Sequence, residues 1–500
     1  MLRRTIFLFY ATTMILALIC CRGEQIREQS EATGASAQDI QNRIAEVENK
    51  LTTPVMIEGA EQVFYSLPDQ MEYYNVPGVS IAIVNDGKIE WAKGYGTREV
   101  GTDSPVDANT LFQAASVSKS VSALGALHLV QEGALELDAN INGFLASWQL
   151  PDNEFTSIRP VTLRHLLSHG AGVSGHSLGT YYVGEEVPTV LQILDGLPPS
   201  KVDPVRVVSE PQTEFKYSGG GYLVVLQAMI DVTGRPFPDI MSEAVLDPAM
   251  MERSGYFQSL EYDSAGNVAA GHDGMGSVIE GYWQIMPNPA GGGLWTTPSE
   301  LCLFVMEVQK ALRGESSIIS RQTAEEMLTR QIGDYGLGLI TQGDGESLAF
   351  SHGGDNAGYG SFFFAYARRG EGVAVMANGQ RGYYLYNEIL RSVGIVYNWP
   401  ELKPSIIQPI RLPEETLNRY TGRFLWNNAL GAEVTVDDDH LRMEGEDGRI
   451  FLFYADADNH FYDLYSGWEL EFVFDEVGEV TGAVLVIMGE TKIDGEKTDD

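Results

Sequence analysis

The sequence predicts an α+β protein in which an antiparallel sheet flanked by helices adjoins a mostly helical lobe, followed by a small all-β, barrel-like domain. Three observations carry that expectation. Strand-like text stands near residues 79–95 and again near 336–376, with helical periodicity between them. Asn85-Asp86-Gly87 separates two strand-like runs, as in an antiparallel hairpin. Beyond a proline-punctuated stretch, the chain changes to short alternating runs separated by Asp, Gly and Asn clusters.

Taken in order, residues 1–21 place Arg3 and Arg4 ahead of an apolar run, which is the anatomy of an export signal. The run is slightly shorter than the roughly 20 residues of a membrane helix, and a retained single anchor is the alternative reading. Leu18-Ile19-Cys20-Cys21 is similar to a bacterial lipoprotein processing site, with Cys21 as the lipidated residue. Simple secretion fits the same signal, so an exported chain is expected, either free or anchored to a membrane through Cys21. Residues 22–50 are polar and lack aromatics, suiting a linker or an exposed frayed helix. A first folded domain is expected over 51–400. It opens with the hairpin of residues 79–95. Helical pattern follows at 116–132, 162–168, 221–232 and 298–312, and strand pattern returns at 336–341 and 361–376. Asn398-Trp399-Pro400, Pro404, Pro409 and Pro413 mark a boundary, and residues 414–500 form the small β domain.

Composition bounds the chemistry. With 500 residues and 44% hydrophobic content, the chain can bury a large core. Its 69 acidic against 33 basic residues leave a net charge of -36, which repels phosphate backbones and anionic headgroups, so nucleic acid is excluded as a partner. The plain meaning of that charge is a solvated acidic surface. Of three cysteines, two lie in the leader and the third is Cys302, so neither a disulfide framework nor a cysteine zinc site is expected.

Ser116-Val117-Ser118-Lys119 sits where a polar turn meets an apolar helix. Three residues make nearly one helical turn, so the Ser116 hydroxyl and the Lys119 amine share a face. A serine hydroxyl is a weak nucleophile until a base takes its proton, and a desolvated lysine amine can serve. The structural alternative is a helix-capping Ser116 and a surface Lys119. Two later segments change that balance. Tyr217-Ser218-Gly219 precedes an apolar helix, where a phenol near a lysine can shuttle protons. Ser351-His352-Gly353-Gly354-Asp355 precedes the aromatic strand at Ser361.

In order and context this set resembles the serine β-lactamase and penicillin-binding-protein superfamily, in particular its class C-like branch with D-aminopeptidases, D-alanyl-D-alanine carboxypeptidases and carboxylesterases. The resemblance covers residues 55–395 and includes the text from Val161 to Gly172 and from Gly292 to Leu301. It implies a β-lactamase/transpeptidase-like fold, Ser116 as nucleophile, and Lys119 and Tyr217 sharing base and acid work in an order left open. It also implies an oxyanion hole from the backbone N–H groups of Ser116 and Asp355, with His352 and Gly354 completing the third motif. After residue 414, Leu417 to Phe424 resembles the lipocalin-like appendage of such enzymes, a part that caps the cleft or only stabilises the fold. Two positions depart from the pattern. Gly219 stands where many members carry a substrate-contacting Asn, and His352 where many β-lactamases carry Lys. Both weaken a β-lactamase assignment.

His165 and His169, spaced i, i+4, offer two ligands on one helix face, but the glutamate of the zinc motif is missing and packing is the better reading. No metal or other cofactor is expected. A hydrolase of small esters, amides or D-amino-acid peptides is the leading function. A penicillin-binding or wall-peptide sensor with little turnover, or a weak β-lactamase, is the alternative. The expected partner is a small-molecule or peptide substrate, with oligomeric state left open.

Overall fold

The structure is a computed structural model that describes residues 35–257, 266–427, 430–446, 448–487 and 491–498. The leader, with Cys21, lies outside the described residues. Residues 1–47 and 48–500 divide as two units. In the polar segment, α1 (Ala37–Asn49) starts at Ser36, whose hydroxyl accepts the Asp39 N–H at 3.1 Å.

The elements of the larger unit that frame the site include β1 (Gly78–Asn85) and β2 (Lys88–Gly96) and the helices α2 (Ser118–Gln131), α3 (Leu163–Leu167), α4 (Gly219–Thr233), α5 (Pro289–Gly292) and α6 (Pro298–Arg313). Strands β3 (Ile340–Gln342), β4 (Ala349–Asn356), β5 (Tyr359–Tyr366) and β6 (Gly372–Ala377) come next, then α7 (Gly382–Tyr397). The six strands form one antiparallel sheet in the order β2-β1-β6-β5-β4-β3.

The first hairpin turns as its residues demand. Asp86 and Gly87 have φ of 52° and 68°, and Asn85 pairs with Lys88, which is the two-residue turn whose twist matches its strands. The strand pattern read over 361–376 is two strands, because Arg368-Arg369-Gly370 reverses the chain with Gly370 at φ 64°. The pattern at 336–341 shortens to β3. Gly338 is left-handed at φ 83° and so close to α2 that a Cβ there would lie 2.4 Å from the Ala123 Cβ.

Side-chain alternation sets the layers. Phe362 stacks on Tyr386 of α7, while Phe363 meets Phe304 of α6, so neighbouring residues of β5 carry helices on opposite faces of the sheet. Helices α2 and α4 are buried around nearly their whole circumference and form the centre of the lobe.

The C-terminal part is a closed antiparallel barrel of eight strands, from β7 (Gly422–Trp426) and β8 (Leu430–Asp437) to β14 (Thr491–Thr498), with β7 pairing to β14. On β8 the buried Val434 alternates with exposed Glu433 and Thr435. Phe424, Trp426, Phe453, Phe461 and Phe472 fill the interior, and Trp426 Nε1 donates to the Ala483 carbonyl at 2.8 Å. Closure leaves no free strand edge, the up-and-down architecture of lipocalins.

Candidate active site

The nucleophile candidate sits on a sharp strand-to-helix turn. Phe112 and Gln113 pair with Thr296 and Trp295, after which Ala115 takes φ 47°, a left-handed conformation that costs a non-glycine residue about 1–3 kcal/mol. Surrounding bonds hold that turn. Ala114 N–H donates to the Leu294 carbonyl at 2.9 Å, and Ser118 Oγ donates to the Ala115 carbonyl at 2.5 Å while accepting the Leu294 N–H at 3.0 Å. The next residue, Ser116, is half-buried at the head of α2.

One turn along, Lys119 is 3% exposed, and its Nζ lies 3.0 Å from Ser116 Oγ. The same Nζ donates to the Gly291 carbonyl at 2.6 Å. It stands 5.0 Å from the centre of the Tyr217 ring and 5.7 Å from that of Tyr222. Tyr217 is carried to this place by the N-terminus of α4, where Ser218 caps the helix by accepting the Gly221 N–H at 2.9 Å.

Strand β4 runs past the same turn. A Cβ at Gly354 would lie 2.4 Å from the Ala114 carbonyl and 2.8 Å from the Ser116 nitrogen, so only glycine lets the strand approach so closely. Ser361 Oγ adds a bond to the Ala114 carbonyl at 2.7 Å. Strand β3 pairs with β4 only as far as Ser351, leaving that edge without a strand partner from His352 to Asn356 among the described residues. Asp355 lines the cavity here; its side chain reaches solvent, yet the protein crowding it pushes its carboxyl up to about 6.

His352 is placed otherwise than a carboxylate-binding residue would be. It is 3% exposed and is not among the described residues that line the cavity. Its Nδ1 donates to the Gly353 carbonyl at 2.6 Å, leaving Nε2 to accept the Tyr335 hydroxyl at 2.8 Å. Burial, then the charge of Lys119, pushes it down to about 3.

The helix-face pairing of His165 and His169 does not form. Helix α3 ends at Leu167, Gly170 N–H closes back on the His165 carbonyl at 2.8 Å, and His169 turns left-handed at φ 59°. His165 instead serves the capping box, its Nδ1 accepting the Thr162 N–H at 3.3 Å.

Gly219 has a steric explanation. A Cβ there would lie 3.1 Å from the His176 carbonyl, because the loop of residues 175–180 packs against this end of α4. An amide arrives from elsewhere. Asn288 is 3% exposed; its Nδ2 donates to the Gly219 carbonyl at 2.8 Å, and its Oδ1 accepts the Gly291 N–H at 3.1 Å. It thus ties α5, and the carbonyl that holds Lys119, to α4. Its one sequence signal is Asn288 before Pro289, a helix-start pair. The Gly291 carbonyl and the Tyr335 partner of His352 left no sequence signal.

Ser116, Lys119, Tyr217, Gly219, Asn288 and Asp355 line one cavity of about 410 Å³. That is room for a small ligand.

A family model described as Beta-lactamase matches residues 67–391. The chain is 23% identical over 332 residues to Protein flp of Staphylococcus aureus (strain MW2), covering 64% of this chain and 63% of that protein. It thus spans less than two thirds of that relative's length. It is 21% identical over 419 residues to Penicillin-binding protein 4* of Bacillus subtilis (strain 168), covering 79% of this chain and 90% of the other. Among solved structures, the D-amino acid amidase from Ochrobactrum anthropi SV3, complexed with L-phenylalanine, superposes with a TM-score of 0.56 at 21% identity, over 72% of this chain and 99% of the amidase. With 67–391 matched to the family model and a serine, a lysine and a tyrosine gathered at one cavity, the chain belongs to the beta-lactamase family.

Proposed function

We propose that this protein hydrolyses small esters, amides or D-amino-acid peptides through an acyl-enzyme on Ser116, with no metal in the scheme. The observation that carries the reading is the pair of contacts at Lys119 Nζ, 3.0 Å to Ser116 Oγ and 2.6 Å to the Gly291 carbonyl. To act as base the Lys119 ammonium first gives up one proton, which leaves two N–H bonds and one lone pair. With one N–H committed to Gly291, the lone pair has a geometry from which to take the Ser116 proton.

In the first half-reaction, Ser116 Oγ bonds to the substrate carbonyl carbon as Lys119 accepts its proton. The oxyanion faces the backbone N–H groups of Ser116 and Asp355, which cost no reorganisation. The bond to the leaving group then breaks, and the proton travels through the Tyr217 phenol to the departing oxygen or nitrogen. Water attacks the acyl ester in the second half-reaction, Lys119 takes the water proton, and the acid departs as that proton returns to Ser116.

Within the cavity lining there is no arginine and no lysine besides Lys119. A substrate carboxylate therefore lacks a dedicated counter-ion among the described residues that line the cavity, which favours neutral or amine-bearing acyl groups over β-lactams. The relative that is a D-amino acid amidase supports the amide arm of the proposal. Gly219 keeps a second reading in play, a sensor that is acylated and hardly turns over.

The test is a panel of short-chain esters, D-alanyl peptides and a chromogenic cephalosporin, run against Ser116→Ala as the blank. Repeated turnover lost in the variant supports hydrolysis. Turnover unchanged by Ser116→Ala rejects the mechanism, and a single burst without further product selects the sensor.

A further inference from the structure

One side chain of the lobe, outside the groups that carry the reaction, is tied to the site in more ways than packing requires. His169 is 1% exposed and holds a left-handed backbone at φ 59°, a conformation uncommon outside glycine that asparagine, aspartate and histidine adopt more often than other residues. Three contacts join it to the short segment that carries Tyr217. Its carbonyl accepts the Lys216 N–H at 2.9 Å, its Nδ1 accepts the Ser218 N–H at 3.1 Å, and its ring lies 4.2 Å from the Tyr217 ring, centre to centre. The residues before and after Tyr217 thus hang on a single residue whose imidazole also backs the phenol.

The tautomer follows from these bonds. Since Nδ1 accepts, the neutral ring carries its proton on Nε2, which has no hydrogen-bond partner among the described residues. Burial, then Lys119, pushes this imidazole well below the usual histidine range, which preserves the neutral acceptor that Ser218 uses. The left-handed turn at His169 is what lets its carbonyl and its ring nitrogen face the same segment.

We propose that His169 is the positioning residue for Tyr217, holding the backbone on both sides of the phenol and backing its ring so that the hydroxyl meets the leaving group, an assignment that rests on the roles given above to Ser116 and Tyr217. The consequence is chemical selectivity. A misplaced phenol slows departure of a leaving group that needs a proton, and spares one that leaves as a stable anion.

The experiment compares the full-length wild type with His169→Phe, His169→Asn, Tyr217→Phe and the double variant His169→Phe/Tyr217→Phe. Each is assayed on a p-nitrophenyl ester and an alkyl ester of the same short acid, with folding checked by thermal unfolding. His169→Phe keeps an aromatic ring and loses the acceptor. We expect it to lower kcat on the alkyl ester by about 10²-fold and on the p-nitrophenyl ester by less than about tenfold, with KM within about threefold of wild type. His169→Asn tolerates the backbone and supplies an acceptor oxygen, and should recover roughly a tenfold part of that loss. In the Tyr217→Phe background, His169→Phe should add nothing.

Equal losses on both esters in a folded variant, or full additivity with Tyr217→Phe, overturn the role of His169. Should His169→Phe fail to fold, His169→Asn decides by the same leaving-group contrast at smaller size. A wild type that turns over neither ester and is not labelled by a fluorophosphonate overturns the serine hydrolase reading itself, a failure distinct from the other two.

Discussion

Lys119 and Tyr217 both line the cavity that holds Ser116, but they are held by different means. Lys119 projects from a helix buried on nearly every side, and its Nζ is fixed by two contacts, with Ser116 and with the Gly291 carbonyl. Tyr217 is half-buried on a loop that follows the exposed Phe215, and its ring is located by contact with the His169 and His176 rings, 4.2 and 5.2 Å away. The amine belongs to the rigid core, whereas the phenol belongs to a segment whose placement depends on its neighbours. The difference teaches which perturbations should be abrupt and which graded.

The largest effect is expected at the rigid arm. Lys119→Ala should slow acylation by about 10³- to 10⁴-fold, near the upper end of what a positioned base contributes, read by fluorophosphonate labelling in the pre-steady state. A near-normal rate would move the base to Tyr217 and invert the comparison. A smaller loss is expected from moving the turn without touching its chemistry. Gly354→Ala drives a methyl group into backbone at Ala114 and Ser116, so kcat should fall about 10²-fold and the fold should lose about 1–3 kcal/mol. Unchanged kcat with unchanged thermal stability would show that the turn yields more easily than its bonding indicates.

The smallest effect is on stability alone, at His352. Its folded form stays neutral down to about 3, so between that pH and the ordinary value of 6.5 the unfolded chain binds a proton that the folded chain refuses. The stability this provides is complete above about pH 6.5 and is lost as pH falls toward 3. The drop in Tm between pH 7 and pH 4.5 should therefore be smaller in His352→Gln than in wild type. Equal drops would contradict the burial of a neutral imidazole against Tyr335.

Much of the rigid arm was legible in the chain. Ser116 and Lys119 are neighbours through helical geometry alone, and the turn at Asp86-Gly87 follows from the φ values those residues tolerate. Alternation in 432–436 revealed the half-buried face of a barrel strand. The other arm was legible only through motif. Nothing local to Tyr217 announces that His169 grips both its neighbours, and the i, i+4 spacing of His165 and His169 suggested a shared face that a left-handed residue abolishes. The absent amide at Gly219 likewise gave no hint that Asn288 would tie the same helix from a distant segment.

By itself, then, the amino-acid order determined the period of each element, the positions of its turns and the meeting of the Ser116 hydroxyl with the Lys119 amine, because each depends on residues within a turn or two of helix or strand. Tertiary structure alone decided which carbonyl accepts the Lys119 N–H, why a side chain at 219 would crowd the His176 carbonyl, and what holds the phenol. Those outcomes rest on contacts between segments far apart in the chain, where packing and hydrogen-bond satisfaction, rather than local preference, select among the arrangements the backbone allows.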